Sequence, residues 1–421
     1  MLDIKLIRER PQEVRTALAR RGQEAVRTLD LVLERDAEWR SATSEAEALR
    51  ARQRESSEQL AAARRAGEKV DGLQGALREL SERVKALRAQ AEHARTALDE
   101  LLVRLPNLPD PSAADGPEDE PVRVVGAPPS FSFPARDHLA LAGELIDMER
   151  AARLSGARFA YLRGELVLVE LALVRYALGK LAAHGFEPVI PPVLVRERAL
   201  YGTGFLPDTE QQIYGPLADD LYLTGTSEVA LASLHDGEIL EEESLPRRYA
   251  GYSSCFRREA GAAGRDTRGI FRVHQFDKVE MFSFCAPERS GQEHELLLSL
   301  EEQILGELGL PYRVVNIAVA ELGASAAKKY DCEVWLPSQG RYRELTSCSN
   351  TTDFQARRLE IRMRAHAERR TRILHTLNGT AVAVGRTIIA LLENGQREDG
   401  SVALPGCLVA HGAPALLAAA A

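Results

Sequence analysis

The sequence predicts an α+β protein: an N-terminal antiparallel two-helix coiled-coil arm, then a domain on an antiparallel β-sheet flanked by helices. Three observations carry that expectation. Leu73, Leu80, Leu87, Ala94 and Leu101 recur every seven residues, with Leu77, Val84, Ala91, Leu98 and Leu105 as the companion series, which is the two-position seam of a coiled coil. Residues 106–134 are then crowded with acid and with Pro106, Pro109, Pro111, Pro117 and Pro121, through which no helix persists. Beyond them strands and helices alternate irregularly, with hairpin-like runs, as in an α+β domain and unlike a doubly wound parallel sheet.

Taken in order, residues 1 to about 26 read as two short helices, the second opened by Pro11, which a first turn tolerates. The arm follows, from about 28 to 102. Its first helix has a looser seam: Val32, Trp39, Ala46, Gln53 and Leu60 in one row, Ala42, Leu49, Ser56 and Ala63 in the other. Gly67, Gly72 and Gly75 break the pattern where the chain is expected to reverse. Each helix would run for roughly 50 Å. Arg50, Arg52, Arg54, Arg64, Arg65 and Lys69 gather toward the bend, whereas Glu34, Asp36, Glu38, Glu45 and Glu47 lie nearer the base. Arms of this kind more often serve oligomerisation or partner contact than nucleic acid. A basic tip on an acidic protein nevertheless suits a phosphate backbone, although Glu55, Glu58 and Glu68 dilute it.

Composition bounds the function. With 421 residues, 45% of them hydrophobic and 28% charged, the chain exceeds one ordinary domain and can bury a large core. A net charge of −8 gives no general attraction to nucleic acid, so any RNA contact rests on local patches. Cys255, Cys285, Cys332, Cys348 and Cys407 form no CxxC pair. That argues against a disulfide framework or structural zinc, and for reduced thiols in the cytoplasm. The start, MLDIKLIRER, has no apolar signal core, and no uncharged run approaches membrane-spanning length.

The sequence therefore divides into residues 1–105, carrying the arm, a proline-rich linker over 106–134, and a catalytic-sized domain over 135–421. No GxxxxGK[ST] or GxGxxG loop is present, so a nucleotide would have to lie on a sheet face. The run from Cys255 to Glu280, CFRREAGAAGRDTRGIFRVHQFDKVE, supplies one. It reads as two strands joined by a loop in which Gly261, Gly264 and Gly269 allow backbone paths closed to other residues. Alternation puts Arg257 and Glu259 on one face, and likewise Arg272, His274, Phe276, Lys278 and Glu280, while Phe271, Val273, Val279 and Met281 face inward. Arginine forks grip phosphate, a carboxylate accepts amino hydrogens and a phenyl ring stacks on a purine. His274 is expected to be a hydrogen-bonding structural residue and not a base.

This stretch resembles motif 2 of the class II aminoacyl-tRNA synthetases, in the version carried by the seryl-tRNA synthetase family, and the resemblance extends over nearly the whole chain. It implies Arg257 on the ATP α-phosphate and the substrate carboxylate, Glu259 at the adenine amino group, Phe276 stacked on adenine and Arg272 at the γ-phosphate. Arg258 and Val273 would sit beside them, and Glu280 would meet serine. GFEPVIPPVLV, from Gly185 to Val195, resembles motif 1, which in the family lies at a homodimer interface. Pro191 and Pro192 restrict such a strand to an edge. LTGTSEVALA places Thr226, Ser227 and Glu228 at a helix start, which reads by itself as a cap with an acidic first turn. By resemblance it is the loop that holds the ammonium of serine.

YRELTSCSN reads as a strand entering a polar turn. The resemblance makes Glu344 and Ser347 ligands of an ATP-bound Mg²⁺, flanked by Leu345 and Thr346. Thr346 and Thr351 depart from the family's commoner residues without touching the ligand positions. LNGTAVAVGRTIIALLENGQ resembles motif 3, with Thr380 at the serine hydroxyl and Arg386 opening an amphipathic helix. A cation at a helix N-terminus is unfavourable, and an anion such as a γ-phosphate would offset the cost. The coiled coil would reach the long variable arm of the serine tRNA. The implied activity is ATP-dependent formation of seryl-adenylate and transfer of serine to tRNA(Ser), with tRNA(Sec) as a further candidate acceptor. Arg257 and Arg386 are the expected catalytic groups. A carrier-protein aminoacylating relative would lack the arm. A non-catalytic paralogue would have lost some of Arg257, Glu259, Glu280, Glu344 and Arg386, all of which are present.

Overall fold

The computed structural model describes residues 1–207, 212–260, 266, 268–365 and 369–420. The chain divides into two compact units, Met1–Leu108 and Pro109–Ala421. In the first, α1 (Ile4–Glu9) and α2 (Pro11–Ala19) precede two long antiparallel helices, α3 (Gln23–Arg65) and α4 (Asp71–Arg104). At 43 and 34 residues these run for about 65 and 50 Å. Every seam position named above is buried or half-buried, including the polar Gln53 and Ser56. The reversal is tighter than the glycine pattern suggested. Gly67, at φ +74°, turns the chain, whereas Gly72 and Gly75 lie inside α4. Asp36, one of the acids near the base of the arm, is 1% exposed. Arg8 of α1 and Arg40 both reach its carboxylate, with Nε contacts of 2.9 Å each.

The second unit is organised by an eight-stranded sheet. Its strands are β1 (Glu120–Val125), β2 (Glu187–Val189), β3 (Arg247–Phe256), β4 (Gln275–Cys285), β5 (Tyr312–Asn316), β6 (Lys328–Leu336), β7 (Arg341–Thr352) and β8 (His375–Ala383). Their spatial order is β1-β5-β6-β7-β8-β4-β3-β2. All neighbours run antiparallel except β2 and β3, which are parallel at one edge. Helices α5 (Glu165–Ala183), α7 (Ser290–Glu307) and α8 (Val384–Asn394), with Val279 and Met281 of β4 and Cys332 and Val334 of β6, share one apolar core. The short helix α6 (Glu228–Ala232) lies outside that core. Among the described residues no helix is long and apolar enough to cross a membrane.

Two expectations need correction. The stretch 106–134 is not simply a linker. Residues 120–125 form the β1 edge, and Ala113 is buried with Val315 and Ile317. Composition misleads here because an edge strand tolerates proline where its N–H would face away from the ladder, and the register shifts just after Pro121. The hairpin strands also stop short of the charged residues assigned to them. Pairing ends at Phe256 and Gln275, leaving Arg257, Glu259, Arg272 and His274 outside the strands. His274 ends the ladder: its N–H turns to the Arg158 carbonyl at 3.0 Å, while its Nδ1 donates to the Arg257 carbonyl at 2.9 Å. Gly261 and Gly264 lie outside the described residues.

Candidate active site

One face of the sheet opens into a cavity of about 760 Å³. Phe276, Lys278 and Glu280 project into it from β4, where Val279 and Met281 project to the core. That is the alternation the sequence implied for this part of the hairpin. Arg257, Glu259, Arg272 and Val273 also line the cavity, but a loop and not a strand delivers them. Glu259 stands at φ +51°. Its carboxylate meets Arg272 Nη1 at 2.6 Å, so the outgoing and returning limbs of the loop are tied across the cavity mouth.

One wall is basic. Arg257 Nε donates to the Gly225 carbonyl at 3.1 Å, and its guanidinium lies 5.3 Å from the centroid of the Phe276 ring. Arg386, in the first turn of α8, donates to the Glu344 backbone carbonyl at 3.1 Å and contacts its Oε2 at 3.3 Å. The Arg386 guanidinium also lies 4.8 Å from the Phe271 ring centroid. Burial opposes the charge on Glu344, yet Arg386, Lys329 and Arg257 together hold its carboxyl down at about 2. A cation in a first helical turn is thus compensated by a neighbouring carboxylate.

Glu344 and Ser347 both line the cavity although their spacing in a regular strand would set them on opposite faces. A bulge makes the difference. Cys332 of β6 faces Thr346, but the next residue, Glu333, faces Glu344, so Leu345 is the extra residue. Parity inverts there: Leu345, Ser347 and Ser349 open to the cavity while Thr346 turns away into the interior, 2% exposed. A second irregularity, at Ala381 on β8, brings Thr380 and Ala383 to the same side. No group of three or more potential metal-ligating side chains exists among the described residues. One ionised carboxylate and one hydroxyl suit a hard, water-loving cation that a nucleotide would deliver with its phosphates, such as Mg²⁺, and the chain alone would hold it weakly.

The far end is acidic and largely dry. Thr226, Glu228, Glu280 and Thr380 are all buried and line the cavity. Thr226 Oγ1 accepts the Glu228 N–H at 3.3 Å, so the threonine caps the helix start and Ser227 does not. Thr380 donates to Glu280 at 3.3 Å, and Gln355 Nε2 donates to Glu228 at 2.7 Å. Burial, reinforced by the negative charge of Glu280, pushes the Glu228 carboxyl up to about 7. Lys278, 6% exposed, donates to Thr226 Oγ1 at 2.7 Å and pairs with Glu280. Two carboxylates facing one lysine leave room for one more cation.

Three residues assigned by resemblance have side chains outside this lining. Ser227 packs toward the Gly251 carbonyl, Thr346 binds Glu301 behind the sheet, and Arg258 offers its backbone N–H to the Gln212 carbonyl at 2.9 Å. Lys278, Lys329 and Asn378 of the lining, and Gln355 behind Glu228, are site residues that sequence reasoning misses. Only Lys278 carried a cue, its place on the polar face of the hairpin.

An antiparallel sheet with a long arm before it and this cavity on its face defines a class II aminoacyl-tRNA synthetase, and residues 212–395 match the family described as tRNA synthetase class II core domain (G, H, P, S and T). Residues 1–109 match the seryl-tRNA synthetase N-terminal domain. The chain belongs to the seryl-tRNA synthetase family. It is 50% identical over 412 residues to a serine–tRNA ligase of Acidothermus cellulolyticus, covering 97% of each chain. Among solved structures it resembles the seryl-tRNA synthetase of Pyrococcus horikoshii complexed with ATP, at 42% identity, a TM-score of 0.95 and full coverage (100%) of both chains. It also resembles the cytoplasmic serine–tRNA ligase of Naegleria fowleri complexed with AMP, at 31% identity and a TM-score of 0.88, covering 100% of this chain and 99% of that one.

Proposed function

We propose that the cavity activates L-serine with ATP and passes the serine to tRNA. The observation that carries this reading is the joining of an arginine wall to a buried acidic end within one cavity. Triphosphate lies along the first and the amino acid's ammonium enters the second. Arg257, where the two meet, takes the α-phosphate and the serine carboxylate. Glu259 and Phe276 take the adenine, Arg272 and Arg386 the γ-phosphate, and Glu228, Glu280 and Thr226 the ammonium. Thr380 and Glu280 meet the side-chain hydroxyl.

A serine carboxylate oxygen attacks the α-phosphorus in line, the bond to the bridging oxygen breaks, and pyrophosphate leaves. A terminal ribose hydroxyl of tRNA then attacks the adenylate carbonyl, releasing AMP and a proton. No protein nucleophile is required. The chain's residues position reactants and neutralise growing charge. Mg²⁺, held with the phosphates by Glu344 and Ser347, would supply further charge neutralisation.

The arm tip is the proposed tRNA contact: Arg50, Arg52, Arg54, Arg64, Arg65 and Lys69 are all exposed. A homodimer is proposed through the β2 edge, just beyond which Ile190 is 82% exposed; Leu168 and Leu171 of α5 are exposed as well. The cytoplasm is the proposed location. A pyrophosphate-exchange screen across all amino acids, with and without tRNA, tests the central reading. Exchange should depend on serine and proceed without tRNA; exchange driven by another amino acid alone refutes it.

A further inference from the structure

Directly behind the cavity, α7 places a glutamate that none of the roles above uses. Glu301 is 0% exposed. Its Oε2 accepts a 2.7 Å hydrogen bond from Thr346 Oγ1, and its Oε1 has no hydrogen-bond partner among the described residues. That free oxygen lies 3.1 Å from where a Cβ on Gly379 would stand, so it occupies the space left by the missing side chain. Thr346 follows Leu345, the bulged residue of β7, and Gly379 stands between Asn378 and Thr380, which line the cavity from β8. One carboxyl therefore touches both central strands of the cavity floor, beside the bulge in β7 and two residues before the irregularity at Ala381 in β8.

An anion with one hydrogen bond and no cation would be prohibitively costly in such a place. Burial holds the Glu301 carboxyl well above the usual carboxylate range, with Asp331 and Glu280 adding to the rise and Thr346 and the weak thiol donor of Cys332 only partly opposing it. Burial therefore favours the neutral form of Glu301 over its anion.

We propose that Glu301 is a positioning residue: by binding Thr346 and packing against Gly379 it fixes the bulge at Leu345, and through it the common wall of Glu344 and Ser347. The inference rests on the reading of those two residues as the magnesium-holding pair. Glu301 does not touch substrate. It determines whether two side chains that a regular strand would separate stay on one side.

The test uses the full chain and equilibrium binding. ATP is titrated calorimetrically with and without Mg²⁺, in the absence of serine and tRNA, and the gain in affinity due to Mg²⁺ is compared between variants. Supporting residues of this kind are worth about 10- to 100-fold in metal affinity. Glu301→Met and Thr346→Val should each lose about tenfold of the gain, whereas Glu301→Gln, uncharged and of the same shape, should stay within about twofold of the parent. A folded Glu301→Met with the full gain overturns the proposal. So does a Glu301→Gln that loses as much as Glu301→Met, because the carboxyl would then act by charge. Should Glu301→Met fail to fold, Thr346→Val decides alone. Glu344→Gln separates the two levels: if it keeps the gain, the magnesium reading fails and this inference with it. If it loses the gain while Glu301→Met and Thr346→Val do not, only the inference fails.

Discussion

Glu344 and Ser347 open into one cavity from strand positions whose parity should part them, and the bulged Leu345 between them is the cause. Both oxygens thereby reach the same space that Arg386 and Arg257 border. Removing either should weaken metal binding in the same sense. Ser347→Ala should raise the Mg²⁺ concentration for half-maximal pyrophosphate exchange by about tenfold, with the KM for serine unchanged. An unaltered Mg²⁺ curve would remove Ser347 from the site.

Among the described residues the Arg257 side chain donates one hydrogen bond, to the Gly225 carbonyl, and otherwise faces Phe276 across the cavity. Its removal should therefore cost little stability but much chemistry. Arg257→Ala should lower serine-dependent exchange by about 100- to 1,000-fold, the usual cost of removing one donor aimed at developing charge. Melting should move little. Exchange near the parental rate would show that another group stabilises the α-phosphate.

Much of this was legible because it is local. The heptad seam of α4 names its own buried positions, and the alternation from Phe276 to Met281 gives the cavity side of β4 directly. What depended on a distant partner was not legible. Asp36 reads as one more helix-surface acid until Arg8 arrives from α1. The bulge at Leu345 exists only in register against β6, and nothing within YRELTSCSN marks it. Glu301 sits in a run of helical glutamates, and only the packing of α7 against β7 and β8 shows it to be buried. The residues 120–125 misled for the opposite reason: their composition is that of a loop, and pairing with β5 makes them a strand.

The six basic residues at the arm tip are exposed, and none of them forms an ion pair among the described residues. Changing all six to glutamine should hardly affect folding. Every cation that no longer meets a phosphate should reduce the salt dependence of tRNA binding. The expected outcome is a fall of at least about tenfold in kcat/KM for tRNA charging, a shallower salt slope, and unchanged exchange. Parental charging at every salt concentration would place tRNA recognition elsewhere.

The Asp36 carboxylate couples α1 to α3. Burial raises its carboxyl, but hydrogen bonds from Arg8 and Arg40 outweigh that and leave it below the ordinary value. An acid depressed on folding stabilises the fold above its unfolded pKa, near 3.8, and loses that contribution as pH falls through the folded value. Asp36→Asn should destabilise the N-terminal unit by about 2 kcal/mol at pH 7, the range for hydrogen bonds to charged groups. The difference from the parent should shrink in strong acid. Calorimetry of both forms at pH 7 and pH 3 checks it. Equal stabilities at pH 7 would mean that the paired arginines contribute nothing net.

The proposed placement of the serine ammonium at the acidic end of the cavity makes serine binding depend on pH. In the empty protein Glu228 titrates at about 7, because burial and then Glu280 both disfavour its anion. An incoming ammonium favours the anion, so binding must expel the proton wherever one is present. The sign follows. Above pH 7 the carboxylate is already formed and affinity is full. As pH falls through 7 the protonated fraction grows, and the KM for serine should rise toward about tenfold per pH unit, while the KM for ATP stays level. The same linkage makes the empty protein lose stability as pH rises from the unfolded value near 4.5 through 7, as an unfavourable buried anion forms. Thermal stabilisation by serine should accordingly be greater at pH 8 than at pH 6. Glu228→Gln should bind serine weakly at every pH, with a flat profile. A parental serine KM that does not change between pH 6 and 8 would show that Glu228 is not the group that receives the ammonium, leaving Glu280 and Thr226 to hold it.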